Sequence, residues 1–370
     1  MAHFIEIHVI KNYPYSNLNR DEAGTPKTAV FGGVNRGRIS SQSLKRSWRM
    51  SFDELFGRSV TSKRTRKMPE IVKDILVEKG IDNEVASVGM EMLAKSFGSN
   101  EKSINTTGQI IPLGVDEINV IAEYMSEVLS SKTADELKDI YLKKDSKEFT
   151  PFRKELGKRT ERCGNAVDIA LFGRMATSEM ISDVEAAMQV AHAISTNRVD
   201  LEEDFFTAVD DMLMNEEAGA AMMGVTEHDS CCYYEYACLD MDVLKDNLKY
   251  NDDADEIIEK LIPSLIKTIA YSNPSGKANS TGSHELPSAI LIERKDVPYN
   301  LSNAFVKPVG SDGEGLIVNS VKTMADYCDL MNRKYEIPAA RVWFSIPDIN
   351  LSCAETALTF DELLKLVNGF

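Results

Sequence analysis

Phe4-Ile5-Glu6-Ile7-His8-Val9-Ile10-Lys11 sets Ile5, Ile7 and Val9 in alternation with Phe4, Glu6, His8 and Ile10. A period of two is that of a β-strand, so the chain opens on a strand with one face fully buried. Residues 12–39 are rich in Asn, Pro, Gly and Arg and have little periodicity, which predicts a long functional loop. Within it, Phe31-Gly32-Gly33 lets the backbone turn sharply or approach a neighbour closely. The period changes at Ser40. Ser40 or Ser41 can cap a helix, and Leu44, Trp48 and Phe52 fall on one of its faces at i, i+4 and i+8.

Beyond this first strand and helix, residues 68–190 read as predominantly helical. Stripes run through Ile71, Ile75 and Leu76, through Val85, Met90, Met92 and Leu93, and through Val120 to Leu129. A last helical stripe, Val184 to Ile194, closes this stretch. Strands return near residue 230, where Cys232, Tyr234, Tyr236 and Cys238 share one face. Helices follow at Ile257–Tyr271, Val318–Lys334 and Thr359–Val367, with strands at Ala289–Glu293 and Trp343–Ile346. A strand-first chain with one large helical insertion and a second strand–helix set predicts an α+β fold interrupted once.

Composition narrows the class. With 370 residues the chain exceeds one average domain, and 43% hydrophobic and 27% charged residues are ordinary for a globular protein. No apolar run reaches membrane-spanning length, and the N-terminal segment does not read as a signal peptide. Six cysteines in so long a chain do not make a disulfide framework, so a reducing cytoplasm is the expected location. The net charge of −16 taken alone argues against nucleic-acid binding, but it is unevenly spread. Thirteen basic against five acidic residues leave +8 over residues 1–67, and the rest carries −24. That asymmetry fits a localised phosphate-binding surface on an acidic protein.

The basic run Arg36-Gly37-Arg38-Ile39-Ser40-Ser41-Gln42-Ser43-Leu44-Lys45-Arg46-Ser47-Trp48-Arg49 supplies such a surface. A helix start offers free backbone N–H groups to an anion, and Ser40, Ser41, Gln42 and Ser43 add side-chain donors at that end. Lys45 and Arg49 share a face, with Arg46 adjacent. The plainer alternative is a capped amphipathic helix with a basic surface. Enzyme motifs fail. Ser275-Gly276-Lys277-Ala278 lacks the earlier glycine and the Ser/Thr of a phosphate loop. His228, Cys231, Cys232 and Cys238 lack the paired spacing of structural zinc sites. His192 reads as a packing residue on a helix, and Asp210-Asp211 as part of a solvated acidic face. Residues 196–223 carry eight acids against the single base Arg198, with Phe205, Phe206, Val209, Met222 and Met223 among them. By composition that is a protein-contact arm, although its aromatic and Met side chains are also able to stack on bases.

Taken in order, Leu18-Asn19-Arg20-Asp21, Phe31-Gly32-Gly33, Ser40–Arg46, the run Val167 to Ser178 with Gly173-Arg174-Met175-Ala176, Ala191-His192-Ala193-Ile194, Asp204 to Asp211 and Ser302-Asn303-Ala304-Phe305 resemble the CasC (Cse-type) subunit of type I-E Cascade. The set spans residues 4 to about 306. The resemblance implies an α+β right-hand fold. Its parts would be an RRM-like (ferredoxin-like) palm (1–58, 191–198 and 230–370), a helical fingers insertion (59–190) and a β-hairpin thumb arm (199–229). It implies a crRNA-binding backbone subunit, with copies packed head to tail along the guide, beside other Cascade subunits and target DNA. No cofactor, metal, catalytic residue or membrane partner is implied. RNA contacts map to Arg20, Lys27, Arg38, Ser40, Gln42, Ser43, Lys45, Arg46 and Arg49 in the palm, to Met175 and Met223 as wedges at bases, and to Phe205, Phe206, Thr207 and Val209 in the thumb. Where the family can have Trp-Phe-Thr this chain has Phe205-Phe206-Thr207, losing an indole donor while keeping the stacking surface. Lys143, Lys144 and Lys147 resemble a basic strip for target DNA.

The rival reading is an RNA-guided endoribonuclease. Related backbone subunits of type III complexes cleave target RNA with an Asp in the corresponding N-terminal loop, where Asp21 stands here beside Arg20 and Glu22. A carboxylate there can serve metal-assisted or general-acid chemistry. The motif set favours the non-catalytic branch, in which Asp21 shapes its loop through Arg20 or Lys27.

Overall fold

The structure is a computed structural model that describes residues 3–56, 61–98, 105–142, 148–176, 178–208 and 222–370. The chain starts with strands β1 (Phe4–Ser16), β2 (Thr28–Phe31) and β3 (Val34–Ile39), and then helix α1 (Ser41–Phe56). The helical stretch holds β4 (Lys63–Thr65), α2 (Met68–Glu78), α3 (Asn83–Ser96), β5 (Ile111–Leu113), α4 (Val115–Leu129), α5 (Ala134–Leu137), α6 (Phe149–Thr160) and α7 (Val167–Phe172). Strands β6 (Met188–Val190), β7 (Ala193–Ser195), β8 (Glu202–Ala208) and β9 (Met222–Asp240) follow, then α8 (Met241–Leu248), α9 (Ala254–Tyr271) and α10 (Ala278–Thr281). The chain ends with β10 (Ala289–Lys295), α11 (Leu316–Tyr335), β11 (Ala339–Ser345), β12 (Glu355–Ala357) and α12 (Phe360–Val367).

Two compact units result. A sheet unit comprises Met1–Ser51, Gln189–Asp240 and Glu259–Phe370, and a helical unit comprises Phe52–Met188 and Met241–Ile258. The mixed α+β class expected from the sequence is what the elements show. In the sheet unit the strand order is β12-β11-β10-β1-β9-β7-β3-β2, with β8 added along β9. β1 lies at its centre, antiparallel to both β10 and β9. Helix α11 covers one face, where Ile10, Cys232, Tyr234, Leu291, Trp343, Val321 and Met324 pack together. On the other face Ile5, Ile7 and Val9 are buried, and Lys11 Nζ donates to Ala270 O and Ser272 O at the end of α9.

Three sequence expectations are corrected here. First, β1 is buried on both faces: Glu6, His8 and Lys11 are as inaccessible as Ile5 and Ile7. Charged partners on neighbouring strands make that burial tolerable, because a buried charge must be paired. Lys295 Nζ lies between the carboxylates of Glu6 and Glu293, Arg341 Nε donates to Glu293 Oε1 at 2.6 Å, and His8 Nε2 donates to Glu293 Oε2 at 3.1 Å. Tyr299 N also donates to Glu6 Oε1 at 2.8 Å, which ties the segment after β10 to the network. Second, residues 12–39 are largely strand. β1 runs to Ser16, and β2 and β3 form a hairpin whose two-residue turn is Gly32-Gly33, at φ of 61° and 81°. Such a turn needs positive φ at both positions, and two glycines meet that need. Third, the helical stripe expected over Val184–Ile194 is β6 and β7. Pairing of β7 with β3 and β9 overrides the alanine-rich local preference for helix.

Gly32 carries a second constraint, since a Cβ there would overlap the carbonyl oxygen of Val306, whereas one at Gly33 meets open space. Gly32→Ala is therefore expected to cost more than the roughly 1–3 kcal/mol of a strained backbone, and Gly33→Ala to stay within it. Urea unfolding of the two variants checks the ranking. Equal losses would show that the Val306 carbonyl moves aside freely.

The helical unit has its own core, in which Met68, Val72, Leu76, Met92, Leu93, Ile121, Met125 and Leu156 are fully buried. Among the described residues, no helix is long and apolar enough to cross a membrane.

Candidate nucleic-acid interface

The start of α1 is built as the sequence requires. Leu44, Trp48 and Phe52 are buried, and this inward stripe turns Gln42 and Arg46 outward. Ser40 Oγ accepts from Ser43 N at 3.3 Å, which is the capping bond. Ser40 itself is buried, and its own N–H donates to Asn19 Oδ1 at 2.9 Å. That bond pins residues 17–27 to the helix start. The same loop is closed by Lys27 N to Asn19 O at 2.8 Å, by a bridge between Arg20 and Pro26, and by Asn17 Nδ2 to Gly24 O at 3.0 Å. It borders an open cavity of about 530 Å³, lined by Leu18 to Gly24 and Gly276. Asp21 Oδ1 accepts from Ala23 N at 2.9 Å and Thr25 N at 3.0 Å. Backbone N–H groups take the role expected of Arg20 or Lys27, because a short carboxylate caps its own turn without help from a long side chain.

Arg20, Gln42 and Arg46 are exposed, while Lys27, Arg38, Ser43, Lys45 and Arg49 are half-buried. Burial lowers the Lys45 ammonium below its ordinary range. Two basic residues of the run part company. Arg36 points inward and donates to four carbonyls, those of Ser195, Thr196, Phe305 and Val306, so it is a structural clamp. Arg38 stays near the surface, with Nε donating to Thr28 O and Nη1 to His192 Nδ1 at 3.1 Å. His192 is thus corrected: it is exposed, between β6 and β7, and not a packing residue on a helix. Burial, and then the positive charges of Arg38 and Lys27, hold its imidazole below the usual value. The neutral ring with a free Nδ1 is the form that accepts from Arg38. No local signal reveals this, since Arg38 and His192 meet only through the pairing of β3 with β7.

The acidic arm is an antiparallel ribbon, β8 against β9 from Glu202 opposite His228 to Ala208 opposite Met222. Phe205, Thr207, Met223 and Val225 alternate with Phe206 and Met222, so both faces carry apolar side chains. Phe205 is 62% exposed, Phe206 37% and Met223 67%. Phe206 lies over Gly224, where a Cβ would strike its ring. At the base of the ribbon Tyr15 stacks on His228, centroids 4.3 Å apart.

In the helical unit Gly173, at φ 75°, ends α7 and Arg174 turns inward. Its guanidinium pairs with Glu117 at 2.8 Å through two nitrogens and donates to Ser182 O and Pro112 O. The next side chain, Met175, is 88% exposed. The motif therefore presents a methionine from a buried ionic anchor. Val209, Lys143, Lys144 and Lys147 lie outside the described residues.

Among the described residues one group of side chains has the composition of a cation site: Glu6, His8 and Glu293. Lys295 and Arg341 supply the positive charge there. Burial alone would push the His8 imidazole down, but its hydrogen bond to Glu293 and the Glu6 carboxylate 3.6 Å away hold it above the ordinary value.

The family model described as CT1975-like protein matches residues 5–366. A chain from a structure described as a CRISPR RNA-guided surveillance complex, pre-nicking, is 26% identical, with a TM-score of 0.83 and 99% of each chain covered. A second, from a structure described as a CRISPR RNA-guided surveillance complex, shares the fold at 23% identity and a TM-score of 0.73, again over 99% of each chain. No curated protein matches this chain. With nearly its whole length matched by the model, and with the ordered motifs pointing the same way, the chain belongs to the CT1975-like protein family.

Proposed function

We propose that this chain is the crRNA-binding backbone subunit of a type I-E CRISPR surveillance complex, several copies of which line up head to tail along the guide. The observation that carries the reading is the joined loop and helix start. Asn19 fixes residues 17–27 against Ser40, so Arg20 and Lys27 neighbour the donor-rich first turn and the basic face of α1. Similarity at 26% identity to a chain of a CRISPR RNA-guided surveillance complex supports it. Chain order β1-α1-β7-β9-α9-β10 with spatial order β10-β1-β9-β7 supports an RRM-like, ferredoxin-like palm. The ribbon fits a thumb that stacks on bases, and the helical unit fits the fingers. A head-to-tail contact that does not close yields an open helical array. In this reading sequence specificity belongs to base pairing of crRNA with target DNA, and the protein holds the backbone.

Lys45→Ala with Arg49→Ala removes two phosphate contacts per protomer. The slope of log K against log salt should fall by about 1.4, at roughly 0.7 per contact on single-stranded RNA. Filter binding across a salt series reads it, and an unchanged affinity and slope would remove the assignment. We further propose that the chain is not an enzyme, because the Asp21 carboxylate is engaged in shaping its turn. Assembled complex incubated with complementary RNA and divalent metal should leave that RNA intact. Regularly spaced cuts that vanish in Asp21→Ala would establish the endoribonuclease reading in its place.

A further inference from the structure

The Ser275-Gly276-Lys277-Ala278 run, whose spacing is not that of a phosphate loop, joins α9 to α10 in the sheet unit. Its course is fixed by the elements that frame the candidate interface. Lys11 Nζ on β1 donates to Ser272 O at 3.1 Å, Tyr13 Oη on β1 donates to Asn273 Oδ1 at 2.7 Å, and Ser51 Oγ on α1 lies 2.8 Å from Ser272 Oγ. Pro274 is buried, and Gly276 then meets the main chain at the start of the Arg20 loop. A Cβ on Gly276 would stand 2.2 Å from Leu18 O and 2.5 Å from Asn17 O. Glycine permits so close an approach because it has no side chain. Gly276 thereby lines the same open cavity as Leu18 to Gly24.

Lys277 is the unusual residue of the run. Among the described residues two other than glycine have positive φ, Glu336 at 52° and Lys277 at 48°. Glu336 ends α11, where a left-handed residue is a common way to stop a helix. No helix ends at Lys277: α9 stops at Tyr271, and α10 begins after Lys277. That backbone is costly for any residue with a Cβ and open to glycine, so a lysine here needs a reason beyond the turn. Its ammonium has no carboxylate partner among the described residues. After burial, its charge is the next cause that holds the imidazole of His228, at the base of the ribbon, below the ordinary value, against Asp204. On the cavity wall Asp21 is held by the N–H groups of its own turn and Glu22 is exposed to solvent, so neither neutralises Arg20 or Lys277.

Building on the RNA-binding reading above, we propose that the Ser275–Lys277 segment is the second wall of the guide-RNA site, with the Lys277 ammonium contacting a guide phosphodiester beside the Arg20 loop. The close seat of Gly276 on Asn17 and Leu18 sets the separation of the two walls, and Lys277 supplies a point charge with three donors.

Filter binding of single-stranded RNA to the full-length chain across a salt series, with thermal unfolding of each variant, tests this. Lys277→Gly removes the charge and suits the left-handed backbone. It should keep or raise the thermal midpoint while lowering the slope of log K against log salt by about 0.7. Lys277→Arg retains the charge and should retain the wild-type slope. Gly276→Ala drives a Cβ into the Asn17 and Leu18 carbonyls and should weaken binding with Lys277 intact. Wild-type affinity and slope in Lys277→Gly would overturn the proposal, even if Gly276→Ala fails to fold. So would a reduced slope that Lys277→Arg shares. A wild-type chain that binds no RNA would remove the functional reading itself and the proposal with it, so the wild-type arm tells the two failures apart.

Discussion

Glu293→Ala is expected to destabilise the sheet unit by about 3–5 kcal/mol, the usual result of removing one partner from a buried ionic cluster. Glu293 accepts from Arg341, Lys295, His8 and Tyr299, at 2.6 to 3.1 Å. Removing the carboxylate leaves Lys295 and Arg341 fully or almost fully buried, with Glu6 the remaining carboxylate of the cluster. Glu293→Gln keeps the volume and two polar atoms, so it should cost less. The cluster also has an acid limb. Burial would raise the Glu293 carboxyl, but His8 and Lys295 hold it well below the usual carboxylate range. A depressed carboxylate stabilises above its unfolded pKa, and that contribution is lost as pH falls through the folded value. Wild type should therefore lose stability below about pH 4.5 more steeply than Glu293→Ala. Urea titrations at several pH values measure both effects. A loss under about 1 kcal/mol at neutral pH would show that the neighbours relax and admit water.

Arg174→Ala should strike the helical unit with similar force. Its guanidinium satisfies the buried Glu117 carboxylate and the carbonyls of Ser182 and Pro112. Glu117 in turn caps α4 by accepting from Gly114 N at 2.9 Å. Truncation strands a buried carboxylate and two carbonyls, an expected loss of about 3–5 kcal/mol. Lysine is a poor substitute, because its ammonium cannot reproduce the two-nitrogen fork. Limited proteolysis around residues 173–184 should accelerate in Arg174→Ala and, to a lesser degree, in Arg174→Lys. Cleavage at the wild-type rate in both would mean that the chain about Met175 is held by other contacts.

Most helices could be read from the sequence because their determinants are local. Leu44, Trp48 and Phe52 recur at helical spacing, and the helix expected from Thr359 is α12, with Thr359 Oγ1 accepting from Glu362 N at its cap. Most of the misses depend on partners distant in the chain. Glu6 and His8 fit an outward-facing polar row until Glu293, Lys295 and Arg341 are brought beside them by β10 and β11. Arg36 and Arg38 look alike in the basic run, but the carbonyls that draw Arg36 inward come from residues 195–196 and 305–306. The hairpin of β2 and β3 was available in Gly32-Gly33 as a turn, and was obscured by Asn, Pro and Arg on either side. Most candidate RNA contacts could be named from motif order, whereas the His192 partnership with Arg38 could not.

The ribbon of β8 and β9 has no inside. Among the described residues nothing buries the apolar side chains on its two faces, so it depends on ladder hydrogen bonds, and a lone two-stranded hairpin is at best marginally stable in water. Phe206 over Gly224 restores a little cross-strand contact and no more. Its opening free energy therefore lies near the bottom of the range for this chain, far below that of β1. A ligand seated on the ribbon must also meet the conformational entropy of ordering it. Part of the intrinsic affinity is consumed in that ordering, and dissociation is correspondingly faster than the apolar contact area alone would suggest.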